Sequence, residues 1–484
     1  MPETTHPAGN DSSRPRRVLS LFDAVCIIVG TIIGAGIFKM PGYVAANVPN
    51  IYWLAGIWIF GGLVALVGAL CFAELTTCYP DRGGDYGYLK RAYHRRIGFA
   101  FSWAAFWIIR PGSIGSMAMI CGDFLSQIIP WKVSYAGNVF AIVSVILITL
   151  INLVGIRIGK TSLNLLTVAK VVGILLIILA AFSIWSGGDS GVVQSVNQAT
   201  TVADDVVVVT PAERTDVWNS FWLAMVFVMF AYGGWNDIAF VATEVKNPQR
   251  NLLWSLVIGT SCVVIIYLLV NFALVMGLGF NRMAELGRNW QDVTSTLIVE
   301  NMGDIGLSLF AVLVAASCLG AMNAMIFTSP RIYSATALDY PQLSWLAPRD
   351  DHRGWWRAML LQMIVTLLFI GVFGFNENME FDQQGIENIV AATAPYFWSF
   401  LGLTVMSLVI CRWKFDQNKF SGFRVPLFPV FPLFFTAACI FMIYRGWLFM
   451  VQQQLWAATI GIAVWMLVGI GLSFAMKSSS SSEK

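Results

Sequence analysis

The sequence contains little charge: Asp, Glu, Lys and Arg make up 12% of its 484 residues, whereas soluble domains carry about 25%. Hydrophobic residues account for 57% of the chain, and the mean hydropathy is +0.70. This balance excludes an ordinary soluble domain and predicts a polytopic membrane protein. The first apolar run is long, lacks a small-residue cleavage site and precedes many equal runs, so we do not interpret it as a cleaved signal peptide.

Histidine is also scarce, and the three histidines (His6, His94 and His352) lie in polar segments. They are too scattered for a metal site, and a membrane enzyme would need a His/Asp or Cys/His group at membrane depth. The eight cysteines lie in or beside apolar runs, which predicts no disulfide framework. We expect no enzyme activity, no metal, no cofactor and no nucleic-acid partner.

Twelve apolar runs reach the length of about 20 residues that a membrane-spanning helix needs. They are 21–46, 52–78, 97–129, 135–156, 163–186, 217–243, 252–278, 303–336, 357–375, 388–411, 426–444 and 453–475. The polar N-terminus (1–20) and the tail (476–484) are predicted to be disordered. The polar segment 187–216 is predicted to be an irregular exterior loop.

The distribution of basic residues predicts the orientation, because cytoplasmic loops of membrane proteins are enriched in Lys and Arg. With a cytoplasmic N-terminus, the cytoplasmic segments hold 22 of the 30 Lys and Arg residues and the exterior segments hold five. Both termini are therefore expected in the cytoplasm. Among the acidic residues, Glu74 and Glu244 are predicted to form ion pairs with basic cytoplasmic loops.

The first run contains an unusual stretch, VGTIIGAGIFKMPG (29–42), in which Gly30, Gly34 and Gly36 precede Pro41. Glycine and proline are poor helix residues. One interpretation is a small-xxx-small packing surface. The other is a helix that breaks, which lipid tolerates only beside a cavity or packed protein.

A second stretch, FAYGGWNDIAFVATEVKNP (230–248), places Gly233 and Gly234 inside the sixth run. Two interrupted helices in corresponding halves of a chain are typical of an inverted-repeat transporter. A broken helix offers free N–H groups to an anion and loose carbonyl groups to a cation. An α-amino acid needs both kinds of group, a few ångströms apart.

At this point the sequence resembles the L-type amino acid transporters of the amino acid–polyamine–organocation superfamily. The resemblance rests on VGTIIGAGIF, FAEL…GGDYGYL, IIRPGS, AKVVGILLII, FAYGGWN…TEVKNPQRNL, GAMNAMIFTSPRIY and FRVPLFPVFP, in this order. It implies an all-α, twelve-helix, LeuT-like fold: inverted repeats at 21–186 and 217–411, followed by two more helices at 412–475.

The resemblance also implies the positions that bind substrate. The substrate carboxylate is expected at backbone amides of Gly34, Ala35, Gly36 and Ile37. The substrate ammonium is expected at carbonyls near Phe230, Ala231 and Gly233, with Phe230 as an aromatic gate and Asn236 lining the pocket. Many relatives have Ser where this chain has Ala35, which removes one hydroxyl near the carboxylate.

Three further polar residues lie within apolar runs. An intramembrane lysine is costly, so Lys170 is either a snorkelling side chain or, as the resemblance implies, a fixed cation in place of sodium, with Asn323 as a neighbour. Arg110 is interpreted as holding the bend at Pro111 through an interior ion pair or a carbonyl contact, in preference to a direct substrate contact. Asp237 faces the pocket, where it would favour a cationic side chain, or it faces water or a partner helix.

The expected function is therefore sodium-independent exchange of neutral L-amino acids by alternating access in a prokaryotic inner membrane. Alternatives are a proton-coupled amino acid symporter, a cationic amino acid or polyamine transporter, and, more remotely, a receptor. Animal light chains of this family join a heavy-chain glycoprotein through a cysteine between helices 3 and 4. The corresponding loop, SQIIPWKVSYAGN, has no cysteine, so only membrane lipid and the substrate are expected as partners.

Overall fold

The computed structural model describes residues 17–79, 83–129, 131, 133–184, 211–289, 292–347, 355–376, 378–415, 422–452 and 456–476. These residues are helical or form turns, and within them β structure is limited to two isolated bridges. The predicted disordered head up to residue 16, the exterior loop up to residue 210 and the tail from residue 477 lie outside the described residues.

Seven helices precede the exterior loop. They are α1 (Leu21–Ile32), α2 (Gly36–Ala46), α3 (Ile51–Cys78), α4 (Asp85–Ala92), α5 (Arg95–Ile128), α6 (Ala136–Val154) and α7 (Ile156–Ile184). Short helix α4 connects two long ones, and the remaining helices pack side by side.

The second half begins with α8 (Pro211–Ala231), which continues as a 3₁₀ helix (Trp235–Glu244). The following helices are α9 (Pro248–Leu278), α10 (Phe280–Arg288), α11 (Val293–Thr328), α12 (Pro330–Asp339), α13 (Trp356–Phe373), α14 (Gln383–Lys414), α15 (Val430–Gln452) and α16 (Trp456–Ala475).

The helices account for all twelve predicted apolar runs. Within the described residues, ten helical spans are long and apolar enough to cross a membrane. The bent pair α1–α2 supplies an eleventh, and a shorter apolar helix, Ile460–Ala475, coincides with the twelfth run. The prediction of an all-α polytopic membrane protein is confirmed.

The outer surface of the helix bundle is apolar. Exposed aliphatic side chains occur on most of the long helices; examples are Leu147, Leu176, Ile265, Leu309, Leu368 and Val372. A soluble monomer rarely exposes so large an apolar surface, whereas a bilayer core requires one.

Ion pairs connect the helix ends, as predicted for Glu74 and Glu244. Arg412 Nε donates to Glu74 Oε1 at 2.6 Å, and Arg331 Nε donates to Glu244 Oε1 at 2.9 Å. Both glutamates are buried. Glu244 also ends the 3₁₀ helix, and its carbonyl accepts the amide of Leu19, just before α1, at 3.0 Å. The two glycine-rich spans are thus joined at one end.

Helix α5 contains a π-helical turn over Ala105–Ile109, directly before Arg110 and Pro111. Proline lacks an N–H group, and its ring clashes with the carbonyl four residues earlier in a regular α-helix. A π turn relieves this conflict and occurs often at functional sites. The irregularity lies where the helix carries the buried Arg110 guanidinium.

Candidate functional site

Two glycine-rich spans break in the middle of the bundle. Helix α1 ends at Ile32 and α2 begins at Gly36, and the two axes differ by 46°. Helix α8 ends at Ala231, after which Gly234 has a φ of +115° and the 3₁₀ helix begins. Side chains rarely tolerate that φ. Of the two interpretations of the glycines, the broken helix is the one observed.

The two breaks are in direct contact with each other. A Cβ atom on Gly36 would lie 3.5 Å from Ala231 Cα, and one on Gly234 would lie 2.8 Å from Thr31 Cγ2. The Gly36 contact is an ordinary van der Waals distance, whereas at Gly234 only a glycine allows this close approach of the two breaks. Gly30 also packs closely against α7, as the small-xxx-small interpretation predicts, because a Cβ on it would lie 2.6 Å from Thr167 Oγ1.

Tyr267 of α9 bridges the two breaks. Its hydroxyl lies 3.1 Å from the carbonyl oxygens of both Ile32 and Ala231, and the side chain is fully buried. One O–H donor is shared by two helix-end carbonyls, of which that of Ile32 also accepts the amide of Gly34 at 2.9 Å. The sequence analysis missed this residue, since a tyrosine in an apolar run gives no distinctive signal.

A cavity of about 120 Å³ lies between the two breaks. Its walls include these residues predicted to bind substrate: Gly34, Gly36, Phe230, Ala231, Gly233 and Asp237. Arg110 also lines it. Ala35 and Ile37 are buried beside this wall without lining it. Asn236 lines a second, smaller cavity that shares Arg110 with the first.

The ends of the broken helices give the cavity two opposite polarities. Gly36 is the first residue of α2, and a helix N-terminus carries free N–H groups and the positive end of the helix dipole. Ala231 is the last residue of α8, where carbonyl groups and the negative end of the dipole lie. The Ala231 carbonyl already accepts from Tyr267 and retains a second lone pair. A zwitterion matches this arrangement of polarity.

Lys170 of α7 is fully buried, and all three of its donors are used. Its Nζ lies 3.0 Å from the carbonyl oxygen of Gly30, 2.6 Å from that of Ile33 and 3.0 Å from that of Ser317. The first two belong to the break in the first span and the third to α11. The side chain does not snorkel to a helix end; it joins three spans.

The residue of α11 that meets Lys170 is Ser317, not Asn323. The Ser317 hydroxyl lies within 3.2 Å of the carbonyl oxygens of Ile33 and Gly34, next to the Lys170 contact. Asn323 instead accepts from Asn152 at 2.6 Å and donates to a serine of α7 at 2.8 Å. Six residues turn an α-helix by about 240°, so the two side chains point to different neighbours.

Arg110 and Asp237 form a bidentate ion pair on the cavity wall. Arg110 Nη1 and Nη2 lie 2.7 and 2.6 Å from the two carboxylate oxygens of Asp237. Both residues are buried, and the Arg110 guanidinium also lies 4.8 Å from the centre of the Phe240 ring. The predicted interior ion pair of Arg110 is confirmed. Asp237 reaches both the cavity and the partner helix, so its charge is matched within the protein.

The comparisons with known proteins agree with this geometry. The family model described as "Amino acid permease" matches residues 19–472, which is nearly the whole chain. The chain is 28% identical to the serine/threonine exchanger SteT of Bacillus subtilis over 433 residues, covering 88% of this chain and 90% of that protein.

Two mammalian proteins are also similar to this chain over most of its length. The chain is 28% identical to b(0,+)-type amino acid transporter 1 of Mus musculus, covering 91% of this chain and 85% of the relative. It is 26% identical to the large neutral amino acids transporter small subunit 2 of Mus musculus, covering 98% and 83%. These relatives are membrane transporters and not enzymes, which confirms both predictions. The chain belongs to the amino acid permease family of the amino acid–polyamine–organocation superfamily.

Proposed function

We propose that this chain exchanges neutral L-amino acids across a prokaryotic inner membrane without sodium. The observation that carries the proposal is the Lys170 ammonium, whose three hydrogen bonds join the first break to α11. A bound cation joins the corresponding helices in sodium-coupled transporters that this fold resembles. A covalently attached cation at that place makes a sodium ion unnecessary.

The substrate backbone fits the polarity of the two breaks. We propose that its carboxylate meets the amides at the start of α2, from Gly34 to Ile37, and that its ammonium meets the carbonyls at the end of α8, from Phe230 to Gly233. Phe230, half-buried on the cavity wall, closes over the substrate. Alternating access then moves the broken spans around a site near the midplane.

The side-chain preference follows from the ion pair on the wall. Because Asp237 accepts hydrogen bonds from both Nη atoms of Arg110, the described residues of the wall offer no unmatched charge to a substrate side chain. This argues for neutral amino acids and against the polyamine and cationic alternatives. The bacterial relative is a serine/threonine exchanger by name, which agrees with a small neutral substrate.

The proposal includes the arrangement of the chain in the membrane. The excess of Lys and Arg in alternate segments supports cytoplasmic termini. Inverted repeats at 21–186 and 217–411 are supported by the breaks, which fall in the first span of each range. The absence of cysteine between the third and fourth spans supports a carrier without a disulfide-linked heavy chain.

Uptake into proteoliposomes tests the proposed function. Purified protein is reconstituted in sodium-free buffer, and uptake of labelled serine, alanine or leucine is measured with and without unlabelled amino acid inside. We expect uptake in preloaded vesicles only, with no change when sodium replaces potassium. Uptake that requires a sodium gradient, or that is equal in empty vesicles, would contradict the proposal; protein-free vesicles are the control.

Tyr267→Phe tests the contact between the two breaks. Losing the hydroxyl removes the one donor that the two helix-end carbonyls share, a hydrogen bond worth about 1 kcal/mol, so we expect exchange to fall about fivefold while the fold persists. The measurement is exchange at matched protein content, with Tyr135→Phe, at an exposed tyrosine, as the control. Equal exchange by the wild-type protein and Tyr267→Phe would show that this bridge does not contribute to transport.

A further inference from the structure

A second cavity, of about 10 Å³, adjoins the first and is bordered by Asp85, Arg110 and Asn236. Its volume is close to what one water molecule needs. Asp85 begins α4, outside the membrane spans, and only 2% of its surface is exposed. Gly83 and Gly84 precede it with φ values of +80° and +53°. A Cβ on Gly84 would lie 2.8 Å from the Ala239 carbonyl carbon, so this turn presses Asp85 against the 3₁₀ helix.

The surroundings contain one cation for two carboxylates. Arg110 directs both Nη atoms to Asp237, and no salt bridge to Asp85 occurs within the described residues. With both carboxylates ionised, this buried group would carry a net negative charge. An uncompensated charge away from water is costly, so such a group usually takes up a proton.

The groups that face Asp85 come from four elements. Arg110 and Phe101 come from α5, and Asp237 and Asn236 from the 3₁₀ helix. Helix α14 presents only apolar side chains here: Phe397, Phe400 and Leu401. On α12, Tyr333 interacts electrostatically with Arg110. Asp339 of the same helix accepts hydrogen bonds from Tyr86 and Lys90 of α4.

Within the described chain, the hydrogen bonds around Asp85 also leave buried acceptor atoms without a donor. Asp85 Oδ1 and Asn236 Oδ1 are both buried acceptors, and neither has a hydrogen-bond partner among the residues that the structure describes. An acceptor left unsatisfied in this way is costly, and a proton on the Asp85 carboxyl would add the missing donor. Burial is the largest influence on this carboxyl and raises its pKa to about 8; Arg110 opposes the effect, Asp237 adds to it, and a hydrogen bond with the Asn236 side chain also opposes it.

We propose that Asp85 is a proton-binding site linked to the amino acid site through Arg110, which borders both cavities. With the proton bound, the Arg110–Asp237 pair is intact and the charges on the wall of the substrate cavity are balanced. After the proton leaves, the Asp85 carboxylate competes with Asp237 for the guanidinium. The wall then loses its balanced charge, and the affinity for a neutral amino acid falls. Only this last consequence rests on the proposed function.

Infrared difference spectroscopy tests the proton without any substrate. The spectrum of Asp85→Asn is subtracted from that of the wild-type protein. At pH 7 we expect the difference to show the C=O band of a protonated carboxyl, and we expect that band to disappear at pH 9. Asp237→Asn should also lack the band, because Arg110 is then free to pair with an ionised Asp85. Asp304→Asn, at an exposed aspartate, should retain it. A band that is absent from the wild-type protein, or that survives in Asp237→Asn, would overturn the proposal.

Exchange as a function of pH tests the link to transport. With a pKa of about 8, the protonated fraction, and therefore wild-type exchange at limiting substrate, should fall about tenfold between pH 7 and pH 9. Asn at position 85 mimics the protonated acid, so the same ratio for Asp85→Asn should stay within about twofold. An equal fall in both proteins would refute the link. If no exchange occurs with any substrate, the proposed function fails, and the infrared result still decides the proton site.

Discussion

Replacing Lys170 by methionine should reduce amino acid exchange at least about 100-fold, since each of its three hydrogen bonds is charge-assisted and worth about 1.5–3 kcal/mol. Methionine has a similar length and no charge, so packing beside Gly320 is retained; a Cβ on that glycine would lie 2.9 Å from Lys170 Cε. The carbonyls of the first break and of α11 would then lose their common donor. The measurement is exchange of labelled serine into preloaded proteoliposomes at matched protein content.

Arg157→Met is the matched control for this experiment. It removes a basic side chain from the same helix at an exposed position, so exchange should stay close to the wild-type rate. Thermal unfolding of both variants separates loss of transport from loss of the fold. Wild-type exchange by Lys170→Met would remove the fixed-cation explanation of sodium independence.

Breaking the Arg110–Asp237 pair from one side should destabilise the protein more than removing both charges. Loss of one partner leaves a buried charge unmatched, which costs about 3–5 kcal/mol, whereas loss of both leaves none. The cycle is measured in the Asp85→Asn background, where position 85 cannot supply a new carboxylate partner for Arg110. For Arg110→Gln, Asp237→Asn and the double variant there, we expect a coupling free energy of about 3 kcal/mol in the free energy of unfolding. Chemical denaturation in micelles provides the measurement.

The pair Lys90–Asp339 provides a control of the same design. Its atoms are 2.6 Å apart, but the two side chains are 29% and 20% exposed. Pairs that water can reach contribute less than about 1 kcal/mol, so the cycle of Lys90→Gln and Asp339→Asn should show weak coupling. Equal coupling for the two pairs would mean that burial does not determine the strength of the Arg110–Asp237 pair.

The same variants report on substrate preference. In the Asp85→Asn background, Asp237→Asn leaves an unmatched guanidinium on the cavity wall, so exchange should shift from serine toward amino acids with an acidic side chain. Competition between labelled serine and unlabelled glutamate or aspartate measures the shift. An unchanged ranking of substrates would show that the pair does not contact the substrate side chain.

The sequence predicted the spans and the two breaks because both depend on local chemistry. An apolar run of sufficient length can only satisfy its backbone in lipid as a helix, so hydropathy marks all twelve runs. Gly34 and Gly36 mark the first break, and Gly233 and Gly234 mark the second, because glycine is a poor helix residue. At Gly234 it also adopts a left-handed backbone conformation, which ends a helix. Lys170 was conspicuous for a similar reason: a lysine deep in an apolar run is costly unless it has a partner.

The sequence did not identify which side chains meet across the bundle. Arg110 and Asp237 are 127 residues apart, and Tyr267 lies 235 residues from Ile32. Such contacts depend on the rotation and depth of each helix, which packing of whole surfaces determines. The neighbour of Lys170 illustrates this dependence: Asn323 is the more polar candidate on α11, but the helix turns Ser317 toward the break.

The sequence by itself thus determined a polytopic membrane protein with two glycine-rich spans and a lysine at membrane depth, because burial in lipid penalises each exception to an apolar helix. Only the tertiary structure determined that the lysine joins three spans, that Tyr267 bridges the breaks, and that Arg110 is matched by Asp237 with Asp85 beside it. The physical reason is distance: hydrogen bonds and buried ion pairs act over about 3 Å, and the chain reaches that precision only after its helices have packed.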